Sequence, residues 1–412
     1  MQGIAGILVL ILVAWVFSEN RAAIRWRLIA TGVLVQFVLA GLLLKVPLIS
    51  ERLLLLNSVV HAIEAATRAG ASFIFGYLSG GEIPFAVTVE DAMYLFAFRV
   101  LPQILVFSVL VALFWYWKIL PWFVRWLGTA LRRTLGIGGA VGIAAASSVF
   151  LGMVETPLVV RAYLARMSRS ELFTVMTCGM STVAGSIMVL YASVLTDVID
   201  GALGHILIAS VINVVGAVFI SRTMVPGTSD DLEGDLGDPL GYTSNMDAVT
   251  RGTMDGLRLA VNVGAMVLVL VSLVALVNHV ISGIDVADAP LTLERMMGWV
   301  FAPVAWLIGV PWQEAQTVGS LLGSKLVLNE LVAYLQLANL DPVALGSDSR
   351  LIVTYALCGF ANFGSLGIML AGLSTLIPER REEFLHLGPR TLISGTLVTC
   401  ITGAIVGLLA NF

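Results

Sequence analysis

Thr177-Cys178-Gly179-Met180-Ser181-Thr182-Val183-Ala184-Gly185-Ser186 and, far downstream, Leu357-Cys358-Gly359-Phe360-Ala361-Asn362-Phe363-Gly364-Ser365 decide how this chain is read. Each lies in a long uncharged run, and each follows a polar start: Ser168-Arg169-Ser170-Glu171-Leu172 for the first, Ser347-Asp348-Ser349-Arg350-Leu351 for the second. Upstream of each stands a glutamate, Glu155 or Glu330, at a matching place in a broken apolar segment. Both units run span, hairpin, span, span. If each hairpin enters and leaves on the same side, each unit makes three crossings, and an odd number inverts the second copy. Inverted repeats whose discontinuous helices meet at mid-membrane are a mark of secondary transporters. Chance likeness is the competing explanation, because Gly, Ala and Ser are common in packed membrane helices.

Composition makes lipid the natural solvent. Of 412 residues, 58% are hydrophobic and 12% charged, with a mean hydropathy of +0.96. Soluble domains carry about 25% charged residues. So few charges on a globule of this size would leave large apolar patches in water. Uncharged runs cover 2–18, 28–44, 100–117, 172–196, 201–221, 259–284, 351–378 and 391–412. A helix needs roughly 20 apolar residues, within a range of about 17–25, to cross about 30 Å of hydrocarbon. These are read as eight spans. The first lacks a basic leading region and a small-residue cleavage site before Glu19, so it is expected to be a span rather than a signal peptide. The net charge of −4, without a basic stripe, argues against nucleic acid as a partner. Cys178, Cys358 and Cys400 lie in apolar runs and offer neither a disulfide framework nor zinc spacing; the four histidines are scattered.

Arg21, Arg25, Arg27, Lys118, Arg125, Arg132, Arg133, Arg161, Arg166, Arg169, Arg222, Arg251, Arg258, Arg380, Arg381 and Arg390 fall in alternate loops, so 16 of the 23 basic residues share one side. By the positive-inside rule that side is cytoplasmic and both termini face out. The balance holds only if residues 134–154, ending in Gly152-Met153-Val154-Glu155-Thr156-Pro157, and residues 312–340 are re-entrant hairpins. Irregular backbone at membrane depth is tolerated where it is buried in protein or lines a cavity. Residues 121–134 and 53–79 read as amphipathic stretches lying at the headgroups. The fold expected is an all-α polytopic membrane protein with eight transmembrane helices and two hairpins.

A glutamate inside a membrane segment is expensive unless it is paired or faces a polar cavity, so Glu155 and Glu330 are functional candidates. Glu155 stands where one helix must stop and another begin, and the backbone groups freed there can bind a substrate or cation. Thr182, Ser186, Asn362 and Ser365 form a second polar set in glycine-broken spans; helix–helix hydrogen bonding is their simpler role. Two carboxylates with hydroxyl and amide groups suit a neutral, hydroxyl-rich solute. No Ser-His-Asp, HExxH or P-loop pattern occurs, which argues against an enzyme.

At this point the chain resembles the concentrative nucleoside transporters. The resemblance is carried by Arg133-Thr134-Leu135-Gly136, by Val149 through Leu158, by Val183-Ala184-Gly185-Ser186, by Gly323 through Glu330 and by Cys358 through Phe363. It is also carried by Asn245-Met246-Asp247-Ala248 with Asn262-Val263-Gly264-Ala265-Met266, so it covers roughly residues 95–410 in order. The resemblance implies a bacterial inner-membrane homotrimer importing nucleosides with Na+ or H+, and no other cofactor. Each protomer would have a scaffold domain and an elevator-type transport domain. The expected division is 1–120 (scaffold spans one to three with an interfacial helix), 121–223 (first half of the transport domain), 224–290 (cytoplasmic loop and scaffold span six) and 291–412 (second half of the transport domain). Ribose would meet Glu330, Asn362 and Ser365; the base would meet Met153, Val154, Glu155 and Ile187. Sodium would sit at Ser148, Leu151, Thr182 and Val183, with the hydrophobic pair Leu151 and Val183 acting through backbone carbonyls. Well-known members have Gln-Thr in place of Met153-Val154 and Asn in place of Ser148, so base preference and coupling ion stand open. A transporter of another small polar solute, or a membrane gate or assembly protein without a transport cycle, are the rival readings.

Overall fold

The computed structural model describes residues 2–46, 62–86, 95–196, 198–227, 240–286 and 289–410. They are almost wholly helical; the β structure among them is one short antiparallel ribbon pairing Asp285 with Pro290 and Val286 with Ala289. Among the described residues, six helices are long and apolar enough to cross a membrane, and a seventh counts if the pair Leu293–Leu307 and Trp312–Val327, bent by 118°, is taken as one. The first expected span is helix α1, Gln2–Val16, and the second is α2, Trp26–Lys45. A helix, α3, runs over 62–75, so the part of the amphipathic stretch 53–79 before residue 62 lies outside the described residues. Span three is α4, Leu101–Tyr116; span five is α10, Ala202–Met224; span six is α11, Asn245–Ile281; span eight is α17, Arg381–Ala410.

Each half of the chain carries the same succession of elements. An amphipathic helix, α5 (Ile119–Leu135), leads into the hairpin α6 (Gly139–Ser147) and α7 (Glu155–Val159). The broken span follows as α8 (Arg169–Ser181) and α9 (Gly185–Leu195), and then comes α10. The second half repeats this with α12 (Leu293–Leu307), the hairpin α13 (Trp312–Val327) and α14 (Glu330–Ala338), the broken span α15 (Ser347–Leu357) and α16 (Phe363–Leu376), and then α17. Sequence reading passed over α12 because it is neither uncharged nor long: it holds Glu294, Arg295 and an internal Pro303. It is the counterpart of α5.

Burial runs opposite to that of a soluble bundle. Leu268, Leu273, Leu276 and Val280 of α11 are all more than half exposed, an apolar exterior that only lipid or another apolar surface can cover. The interior is formed by α8, α9, α10 and α17. Small residues set the closest approaches there and elsewhere: a methyl added at Gly256 of α11 would meet Leu105 Cα of α4 at 2.8 Å, so these two helices touch backbone to backbone.

α4 pairs with α11, whereas α1 and α2 lie on α10 and α17. Gln36 Nε2 of α2 donates to Thr402 Oγ1 of α17 at 2.9 Å in a buried contact. At one end of the bundle, Glu19 accepts from Arg169 at the start of α8 (2.8 Å) and from Arg390 of α17 (2.7 Å). The Arg169 hydrogen bond holds the Glu19 carboxyl below the usual carboxylate range.

Candidate functional site

Both hairpin turns and both helix breaks converge on one cavity of about 560 Å³. The first tip forms because α6 ends at Ser147 and the chain stays non-helical until Glu155, where Thr156 N donates to Gly152 O at 3.0 Å. Glu155 thus opens a new helix and its carboxylate is exposed to the cavity. The second tip is tighter. Leu328 and Asn329 interrupt the helix, Asn329 Oδ1 caps α14 by accepting from Val332 N at 2.8 Å, and Glu330 follows.

Glu330 is 4% exposed, and its two oxygens are held from two directions. Oε1 accepts from the Tyr191 hydroxyl of α9; Oε2 accepts from Asn362 Nδ2 at 2.7 Å. Asn362 is in turn the cap of α16, its Oδ1 accepting from Ser365 N at 2.7 Å. One amide therefore closes a helix end and positions the carboxylate. A carboxylate oxygen accepts about two hydrogen bonds, so each Glu330 oxygen retains capacity for a ligand donor. Met153, Val154, Glu155, Ile187, Glu330, Asn362 and Ser365 all line this cavity, as do Ser186, Tyr191 and Phe360. From the other side Asp255 and Asn262 of α11 complete the wall.

The four residues expected around an ion occupy two touching segments. Ser148 and Leu151 lie in the first hairpin turn; Thr182 and Val183 lie in the break between α8 and α9, and Gly185 N donates to Phe150 O at 2.8 Å to join the two. Leu151 reaches the cavity, while Ser148, Thr182 and Val183 are buried behind it. The Ser148 hydroxyl donates to Ala145 O (2.8 Å) and the Thr182 hydroxyl to Cys178 O (2.9 Å). Their hydrogens are thus turned away, leaving oxygen lone pairs and carbonyls, a neutral all-oxygen donor set suited to a hard cation.

Residues that sequence reading missed hold the breaks in place. Asn213 of α10 donates through Nδ2 to Ser181 O and to Cys358 O, both at 2.8 Å, so one amide ties the ends of α8 and α15 together. Thr402 donates to Asn213 Oδ1 at 2.6 Å, and Gln36 donates to Thr402, which carries the chain of bonds out to α2. A methyl at Gly359 would meet Ser181 O at 2.8 Å, so the two breaks cross where only glycine fits. Lys325, 2% exposed, donates to Ala356 O (2.8 Å) and Thr399 Oγ1 (2.9 Å) and fastens the second hairpin to α15 and α17. The signal available for Asn213 and Gln36 was their polarity within uncharged apolar runs. For Tyr191 there was none, since tyrosine is an ordinary core residue.

Known proteins match over the whole chain. Family models described as the Na+ dependent nucleoside transporter C-terminus and N-terminus match residues 205–407 and 5–78, and one described as nucleoside recognition matches 97–197. An uncharacterized transporter of Bacillus subtilis is 36% identical, covering 99% of both chains. The nucleoside permease NupC of Helicobacter pylori is 33% identical, covering 98% of this chain and 96% of that one. The sodium/nucleoside cotransporter 1 of Mus musculus is 30% identical over 98% of this chain, which spans 63% of that longer protein. Among solved structures, CNTnw in an inward-facing substrate-bound state superposes with a TM-score of 0.91 at 35% identity, covering 100% of this chain and 97% of that one. These relatives are membrane transporters and permeases, not enzymes. With matches to both halves of the family and to its nucleoside-recognition segment, the chain belongs to the Na+ dependent nucleoside transporter family.

Proposed function

We propose that the chain is a sodium-coupled symporter importing nucleosides across the cytoplasmic membrane by an elevator-type movement, as a homotrimer. The observation that carries the substrate reading is Glu330, a buried carboxylate held by Tyr191 and Asn362 with acceptor capacity left toward the cavity. A vicinal diol offers two hydroxyl donors at the spacing of two carboxylate oxygens. Ribose therefore sits against Glu330, Asn362 and Ser365. The base lies against Met153, Val154, Glu155 and Ile187 of the first tip and α9. Sodium takes the oxygen set at Ser148, Leu151, Thr182 and Val183, where the first tip meets the break. An ion there fixes the tip that the base must contact, and this couples the two ligands.

The moving body contains both hairpins with spans four, five, seven and eight. Spans one and two belong with it rather than with the scaffold, because moving without them would break the buried Gln36–Thr402 bond and the Glu19 ion pairs. The scaffold is then α4 and α11 with the helix at 62–75, and the apolar exterior of α11 meets lipid or neighbouring protomers. Uptake of labelled uridine and adenosine into proteoliposomes is the test. Saturable uptake driven by an inward sodium gradient is expected; uptake driven by a proton gradient in sodium-free buffer would reassign the ion, and no saturable uptake of either nucleoside would overturn the reading.

A further inference from the structure

A second, smaller cavity of about 120 Å³ lies away from the transport site, where the chain entering α2, the junction of α5 with α6, and the end of α10 meet. Two arginines line it, Arg25 from the α1–α2 loop and Arg222 from the last turn of α10, with the backbone of Gly136 and Ile137 on the opposite wall. Arg222 is 8% exposed. Its Nη1 donates to Gly227 O at 3.1 Å, but its buried Nε and Nη2 have no hydrogen-bond partner among the described residues. Buried guanidinium donors are ordinarily satisfied, so each orphan calls for an acceptor.

Among the described residues, no carboxylate supplies one. Among the described residues, the ion pairs of Arg169, Arg251, Arg380 and Arg390 are all with Glu or Asp, and neither Arg25 nor Arg222 has such a pair. Glu171, whose charge acts on Arg222, accepts through Oε2 from Ser168 N and Ser168 Oγ at 3.0 Å in the cap of α8; its buried Oε1 makes no hydrogen bond among the described residues, to Arg222 or to any other group. Capping the carbonyls at the end of α10 would account for Nη1 alone. Arg25 repels Arg222 across this cavity while Glu171 attracts it, yet Nε and Nη2 still lack a hydrogen-bond acceptor among the described residues.

We propose that this cavity binds a phosphate group, and that its source is the headgroup of an anionic phospholipid. Guanidinium forks match phosphate oxygens in pairs, and the cavity has room for one such group. The surroundings favour lipid. The neighbouring helix α5 is amphipathic, ends in Arg132 and Arg133, and exposes Trp122 and Trp126, the arrangement of a helix lying at the headgroup level. A headgroup bound there would join α2, α5 and α10 at their shared end.

The test uses the full-length protein in detergent, following thermal unfolding with phosphatidylglycerol, phosphatidylcholine or inorganic phosphate added. Phosphatidylglycerol is expected to raise the melting temperature of the native protein, and Arg25→Gln to weaken its apparent affinity about tenfold, as loss of one charge-assisted contact does. Arg222→Gln should abolish the effect; if that variant misfolds, Arg25→Gln, at an exposed position, still decides. Stabilisation by inorganic phosphate that is equally sensitive to Arg25 would keep the anion site and assign it to free phosphate. The proposal fails if phosphatidylglycerol and phosphate leave melting unchanged, or if either stabilises native and variant proteins alike.

Discussion

Glu330 concentrates the chemistry of the site in one side chain. Its two protein donors fix the carboxylate plane, and the oxygens that remain open are those a diol would use. Glu330→Gln keeps the shape but replaces an acceptor oxygen by a donor, and a charge-assisted hydrogen bond in a buried site is worth roughly 1.5–3 kcal/mol. Nucleoside uptake by that variant should fall about tenfold or more while assembly is unchanged; uptake at the native rate would make the residue structural. The first tip makes the opposite prediction. Met153 and Val154 present no hydrogen-bond partner to a base edge, and a site without such partners discriminates weakly among ring substituents. Uridine, cytidine, adenosine and inosine should therefore all compete for uptake, with discrimination concentrated on the ribose hydroxyls. Met153→Gln with Val154→Thr should narrow that range. A native protein that takes one base class and tolerates deoxyribose would contradict this account of the tip.

Among the elements, the discontinuous spans need an external fastening. Each break frees carbonyls that no helix can satisfy, and Asn213 answers one from each with a single amide. Asn213→Leu is nearly isosteric but leaves Ser181 O and Cys358 O without that donor, at about 1–3 kcal/mol each. A lowered melting temperature is expected, together with reduced sodium and nucleoside affinity in the same variant, since the two breaks border both proposed ligand sites. Asn213→Asp keeps an acceptor for Thr402 and loses the donor, so it should behave like the leucine variant; native affinities in either would remove Asn213 from this role.

On the scale of the whole molecule, the question is which spans move together. A Cβ at Gly32 of α2 would lie 2.9 Å from the Cβ of Phe219 in α10, close to disulfide range once the ring is gone. Gly32→Cys with Phe219→Cys should therefore cross-link and, with both helices on one moving body as proposed, still transport. Loss of uptake on oxidation, restored by reduction, would return α2 to the scaffold. Orientation can be read by labelling, and the native Cys178, Cys358 and Cys400 are buried and give little background. A cysteine at Asp285 should react with an impermeant reagent in intact cells and one at Thr243 should not; the reverse pattern would refute the inverted repeat.

Hydropathy and buried charge made the membrane class, the two breaks and the two tip glutamates legible in the sequence. A charge in hydrocarbon is so costly that Glu155 and Glu330 could persist only if paired or beside a cavity, and all seven substrate residues that the resemblance implies line one. The amphipathic α12 escaped notice because a run of uncharged residues is a test for spans, not for helices at an interface. Neighbours were not legible at all. Apolar helix exteriors look alike in lipid, so nothing in α1 or α2 announced that they pack on α10 and α17 rather than on α4. Only the folded chain pairs Tyr191 with Glu330 and brings Asn213 to both breaks, because each of those contacts joins helices far apart in sequence. The sequence carries the energetic demand at each residue; the tertiary structure alone decides which distant partner meets it.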